Sequence, residues 1–130
     1  MFNFREIEVF RPYPNEMPED LLWAEGYDDT EVQTLLAAEM VRVAKRGDDV
    51  LALYAMTSGD GLTYLLHGVV VVPGSRKQGL GRWLVGHAIG VAESKGARHV
   101  RVPSNKGARF FRALGFVPDA EGQRFDLIPE

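Results

Sequence analysis

The stretch VVVVPGSRKQGLGRW, Val69 to Trp83, narrows the choice of fold more than any other part of the chain. Four β-branched residues in a row suit a strand covered on both faces, a proline cannot continue its ladder, and the apolar spacing that starts at Leu80 has the period of a helix. Between strand and helix lies a glycine-containing loop that carries cations and no acid from Arg76 to Arg82. A strand that passes through glycines into a helix leaves several backbone N–H groups without partners, aimed at one spot that also holds the positive end of the helix dipole. That spot suits a phosphate. The whole chain carries a net charge of −3, so the loop is a positive island on an acidic protein and favours an anionic ligand there.

The remaining periods sort into short elements. Asn3–Pro14 reads as a first strand, with Arg5, Ile7 and Val9 in a two-residue period and Pro12 and Pro14 closing it. Pro18–Gly26 reads as a short helix and Asp28–Met40 as a second, capped by Asp28, Asp29 or Thr30, with Val32, Leu35, Leu36 and Met40 on one side. From Met40 the period becomes two on both sides of Gly47-Asp48-Asp49, which predicts a hairpin. Leu62–Pro73 reads as a central strand in which Gly68 marks a bulge or a close approach by another group. A helix from Leu80 to the Lys95-Gly96 stop, a strand in RHVRVP, a helix in NKGARFFRALGF and a last strand in RFDLI complete the order. This order predicts an α/β (α+β) chain with one mixed sheet and helices on its faces.

A chain of 130 residues has room for one core and buries roughly two-thirds of the surface it exposes when unfolded. One domain spanning residues 1–130 is therefore expected. The absence of cysteine excludes disulfides, a thiolate nucleophile and cysteine-based zinc sites, and His67, His87 and His99 do not have metal-ligand spacing. No apolar run approaches the ~20 residues of a membrane span, and the acidic balance argues against nucleic acid. MFNFREIEVF does not have the charged start, apolar stretch and cleavage site of a secretory signal, so a cytoplasmic location is expected.

Three kinds of glycine loop compete for GSRKQGLG. A nucleotide-triphosphate loop needs a lysine and a hydroxyl where Leu80 and Gly81 stand, and a dinucleotide fingerprint needs a third glycine where Leu84 stands. RKQGLG, Arg76 to Gly81, instead resembles the [RQ]-x-x-G-x-[GA] signature with which the GNAT superfamily of CoA-dependent N-acyltransferases binds the CoA pyrophosphate. VVVVP looks like that family's fourth strand ending in V-x-P, and NKGARFFRALGF is similar to its second motif, N-x-x-A-x-x-[FY]-[YF]-x-x-x-G-F.

The resemblance implies a GNAT fold: a single mixed sheet of six to seven strands, splayed between the fourth and fifth, with about four helices on its faces. It implies acetyl-CoA as co-substrate, no metal, and direct transfer to a primary amine. Pantetheine would pair with the backbone of Val70, Val71 and Val72. The loop of Arg76, Lys77, Gln78, Gly79, Leu80, Gly81 and Arg82 would hold pyrophosphate, and Asn105, Phe110 and Phe111 would touch CoA. His67 stands where some members place the base, and an N–H near Val70 would meet the oxyanion. Core roles for His67, Asn105, Ala108, Phe110 and Phe111 stay open, as do surface roles for Arg109 and Arg112. Tyr54 and Tyr64 read as core or cleft wall, and Ser104 as a helix cap. Phe111 occupies a position where many members carry a tyrosine that protonates the departing thiolate. That departure keeps a second function open, an acyl-CoA-binding or regulatory module without turnover; an unrelated phosphate-binding α/β domain is a third. The resemblance implies an acceptor pocket built from the first two helices and the strand-six to strand-seven region; there EDLLWAEGYDD and PDAEGQRFD are acidic, which points to a cationic amine. Neither nucleic acid nor a membrane is expected as a partner, and a homodimer is left open.

Overall fold

The architecture follows from three long antiparallel strands whose two faces are both covered. In the computed structural model, which describes residues 4–12, 19–24, 26–76, 79–120 and 122–127, the strands are β1 (Ile7–Phe10), β2 (Met40–Arg46), β3 (Asp49–Ser58), β4 (Thr63–Val71), β5 (His99–Val102), β6 (Val117–Asp119) and β7 (Gly122–Asp126). They form one sheet in the order β1-β2-β3-β4-β5-β7-β6, antiparallel throughout except for the parallel pair β4 and β5. The helices are α1 (Glu19–Ala24), α2 (Asp29–Leu36), α3 (Leu80–Ser94) and α4 (Ala108–Ala113). The chain therefore has the mixed single sheet and four helices that its periodicity predicts.

Burial explains the unbroken apolar runs. Along β3, Ala52, Tyr54 and Met56 pack under α3 with Leu84, Val85, Ala88 and Ala92, while Leu53 and Ala55 face α1 and α2 with Leu22, Val32 and Leu35. A strand covered on both sides loses the polar alternation of a half-exposed one. Tyr54 is fully buried, and its hydroxyl lies 3.1 Å from Nδ1 of His87 on α3. That burial places Tyr54 in the core and pushes its phenol up to about 12. Tyr64 packs against the same layer.

Several boundaries differ from the sequence reading. Within Asn3–Pro14 only Ile7–Phe10 is strand, and Arg5 sits in a 3-10 turn over Phe4–Glu6; Pro14 and Pro18 lie outside the described residues. The helix opened at Asp28 stops at Leu36, and Met40 belongs to β2. Asp28 is the cap: its carboxylate accepts the Glu31 N–H at 2.8 Å and the Glu31 carboxylate accepts the Asp28 N–H at 3.1 Å, a reciprocal capping box. β6 has no counterpart in the sequence reading, because three residues with a central proline carry no detectable period.

Two features of β4 shape the site. Ala55 pairs with Gly68 but Met56 pairs with Leu66, so His67 is the extra residue of a β-bulge. β4 pairs with β5 only over Thr63–Leu65 and His99–Arg101, yet continues to Val71. Beyond Leu65 the two strands part, as the resemblance implies.

One glycine near the far wall of this gap is held tightly. A Cβ on Gly122 would run into the Val102 carbonyl and the Ser104 amide, which are backbone and cannot swing away. Gly122→Ala is expected to destabilise the fold by about 2–3 kcal/mol, lowering the melting temperature by about 10 °C. Thermal unfolding of the variant checks this; an unchanged melting temperature would mean that the strand ends yield.

Candidate functional site

The parted strands enclose a cleft of about 520 Å³. Its floor is the bulge and the end of β4, from His67 to Val71. The Val72 N–H donates to the Leu51 carbonyl at 2.9 Å, so that amide is already spent on β3. Backbone groups of an antiparallel strand alternate sides, which turns the Val70 N–H and carbonyl toward Leu53 as well. The expectation that Val70 and Val72 offer backbone groups to a ligand, and that the Val70 N–H meets an oxyanion, is therefore corrected. Val69 and Val71 are the residues whose backbone faces the gap, while the Val70 side chain packs against α1 and α2. Arg76 folds back over this edge, its Nε donating to the Val71 carbonyl at 3.1 Å.

The end wall is the start of α3. Gly79, with φ of +84°, turns the chain into the helix, and the Trp83 N–H bonded to the Gly79 carbonyl at 3.0 Å is the first intrahelical link. The amides of Leu80, Gly81 and Arg82 thus have no helical acceptor. Gly79, Gly81, Arg76 and Arg82 line the cleft, whereas the Leu80 side chain is buried in the core, leaving it only a backbone contact to offer. Lys77 and Gln78 lie outside the described residues.

The third wall comes from β5, α4 and the segment between them. Phe110 and Phe111 both line it, at 38% and 5% exposure, with ring centroids 5.1 Å apart in an edge-to-face pair. Phe111 also packs on Phe116 at 5.1 Å, so its core role and its place on the cleft wall coincide. Asn105 does not line the cleft: it is exposed, and its carbonyl accepts the Ala108 N–H at 3.1 Å. Ser104 takes that place. Counted back from Gly115-Phe116, the motif's asparagine position falls on Ser104, a signal the sequence did contain. Ser104 does not cap α4, whose N-cap is Gly107; its Oγ accepts the Lys106 N–H at 3.3 Å. Arg109 and Arg112 are exposed and do not line the cleft.

Of the three histidines only His67 reaches the cleft. His87 is bonded to Tyr54, and His99 Nδ1 lies 2.8 Å from Asp126 Oδ1. His67 Nε2 lies 2.6 Å from Thr57 Oγ1, which fixes the ring and leaves Nδ1 as its second polar atom. Burial lowers the pKa of His67 below its ordinary value, so the ring is neutral over a wider pH range.

Two lining residues carried no sequence signal. Tyr27, between α1 and α2, and Lys106, between β5 and α4, meet across the cleft with the Lys106 ammonium 3.6 Å from the ring centroid. Lys106, Arg76 and Arg82 line the cleft, and no carboxylate does among the described residues. Both aspartates of PDAEGQRFD are paired: Asp119 with Arg101 at 3.2 Å and Arg124 at 3.5 Å, and Asp126 with Arg124 and His99 at 2.8 Å each. Hydrogen bonds from Arg124 and His99 hold the Asp126 carboxyl below its usual range. Among the described residues no helix is long and apolar enough to cross a membrane, and no group of histidine and carboxylate side chains could hold a metal ion.

A strand backbone open on one side, running into a helix N-terminus with two arginines beside it, offers a track for a long ligand with an anionic end. Known proteins share this framework. The model of the acetyltransferase (GNAT) family matches residues 2–116. A GNAT family acetyltransferase from Elizabethkingia anophelis, solved with acetyl-CoA bound, superposes with a TM-score of 0.80 at 15% identity, over 94% of this chain and 99% of that one. A Bacillus subtilis acetyltransferase in complex with CoA gives 0.75 at 20% identity, over 95% and 99%. One from Brucella melitensis in complex with acetyl-CoA gives 0.71 at 20% identity, over 95% and 90%. No curated protein sequence matches the chain significantly.

Proposed function

The chain belongs to the GNAT acetyltransferase family, and on that premise we propose that it transfers the acetyl group of acetyl-CoA directly to a primary amine, with the donor laid in the cleft between β4 and β5. The observation that carries this reading is the edge of β4 from Val69 to Val71, which β5 leaves beyond Leu65 and which ends against the first-turn amides of α3. In this reading the pyrophosphate lies on the Gly79–Arg82 amides with Arg76 and Arg82 beside it, and Lys77 and Gln78 are kept in the loop from sequence alone. Pantetheine follows Val71 and Val69 against Phe110 and Phe111, which brings the thioester to the bulge.

There the Val69 N–H is the donor aimed at the carbonyl oxygen, and it stabilises the charge that develops when the amine attacks. His67, anchored by Thr57, takes the proton of the attacking amine through its second ring nitrogen, directly or through a water. The nitrogen–carbon bond forms, the carbon–sulfur bond breaks, and CoA leaves as thiolate. The aspartates of PDAEGQRFD are paired, so the preference for a cationic amine rests chiefly on the α1–α2 segment.

Two measurements test the proposal. Acetyl-CoA should raise the melting temperature, since a ligand selective for the native state stabilises it by mass action. A panel of amino acids, polyamines, aminoglycosides and peptide N-termini should include an amine that releases CoA thiol from acetyl-CoA. Binding without release by any amine would favour the second reading, an acyl-CoA-binding module, for which Phe111 is the supporting observation. No binding at all would remove both.

A further inference from the structure

Phe111 leaves the departing sulfur without a phenol from α4, yet a phenol reaches the same cleft from another element. Tyr27 lines the cleft together with His67 and Phe111. Its hydroxyl oxygen lies 3.5 Å from the position a Cβ on Gly68 would occupy, so it stands over the bulge at the point where β4 leaves β5. Gly68 admits it: a side chain there would also press on Leu35 at 3.3 Å. Going from Val71 to Gly68 is three residues along β4, about 10 Å at ~3.3 Å per residue, which carries a donor laid on this edge from the α3 terminus toward the Tyr27 hydroxyl.

We propose that Tyr27 donates the proton to the CoA sulfur as the thioester is cleaved, in place of the phenol that Phe111 lacks. The inference rests on the acetyltransferase reading above. As the amine nitrogen bonds to the carbonyl carbon and the carbon–sulfur bond breaks, the electron pair goes to sulfur and the Tyr27 O–H proton follows it. The phenolate that remains is reprotonated from water, while the amine's own proton goes to His67. Lys106, with its ammonium 3.6 Å from the Tyr27 ring centroid, stabilises the charge on the phenolate oxygen during that interval. Acid and base thus come from different elements, Tyr27 from the α1–α2 connection and His67 from the bulge.

The test uses the full chain and an amine found active with the wild type. Tyr27→Phe keeps the ring and the contact with Lys106 and removes only the hydroxyl. It should lower kcat about 100-fold with the acetyl-CoA Kd unchanged. Phe111→Tyr placed in the Tyr27→Phe background should recover most of the loss, because it returns a phenol to the same cleft. Three results would each overturn the inference: a Tyr27→Phe enzyme as fast as wild type, a loss of rate matched by weaker acetyl-CoA binding, or a double variant no faster than Tyr27→Phe alone. A wild type that turns over no amine counts against the acetyltransferase reading itself, whereas an active wild type equalled by Tyr27→Phe counts against Tyr27 only.

Discussion

Gly81→Leu is expected to abolish acetyl-CoA binding while leaving the protein as stable as the wild type or more so. A Cβ at this position would sit 3.4 Å from Phe110 Cζ and 3.5 Å from Val71 Cγ2, so a methyl fits and the rest of a leucine must occupy the cleft. Gly81 lies inside the first turn of α3 with no positive φ, where leucine is favoured over glycine by about 1 kcal/mol of helix propensity. Gly79 is a poorer probe. Its φ of +84° strains any side chain by about 1–2 kcal/mol, so a loss of binding there would be mixed with a loss of fold. The measurement is thermal unfolding with and without acetyl-CoA. An acetyl-CoA shift of wild-type size in Gly81→Leu would remove the donor from the space between α3, Phe110 and Val71.

His67→Ala is expected to cost roughly 10²- to 10⁴-fold in kcat, the usual contribution of a positioned base. Burial lowers the pKa of His67 from 6.5, and a base works in its neutral form. In the wild type, kcat should therefore rise with pH through a midpoint below 6.5 and stay level above it, and the alanine variant should lose this rise. The same shift acts on folding. Between the two pKa values the unfolded chain binds more protons than the folded one, so the stability that His67 contributes is present above 6.5 and is lost as pH falls through the lowered value. His87 titrates in the same direction, from burial and from the nearby Arg42 charge, so only the kinetic profile isolates His67. Near-wild-type activity with an unchanged profile in His67→Ala would leave the histidine as a packed residue bonded to Thr57.

The sequence by itself determined whatever depends on neighbours along the chain. Val69 to Trp83 announces strand, loop and helix because β-branched residues, proline, glycine and a helical period act within a few residues of one another. Asp28 and Glu31 close a capping box three residues apart, and the apolar stripe of α3 is read directly from its spacing. Everything that depends on the partner of a strand or on the far side of a gap was decided by tertiary structure. Which valines turn their backbone toward the cleft depends on register with β3, and the extra residue His67 sets that register; the run of four valines looks the same in either phase. Tyr27 and Lys106 are far apart in sequence and carry no shared pattern, yet they meet because the bulge, the missing side chain at Gly68 and the parting of β4 from β5 open a space that both can reach. Local chemistry is written in adjacent residues, whereas side chains from the α1–α2 connection, β4 and the β5–α4 segment share one cleft only through the packing of the whole sheet.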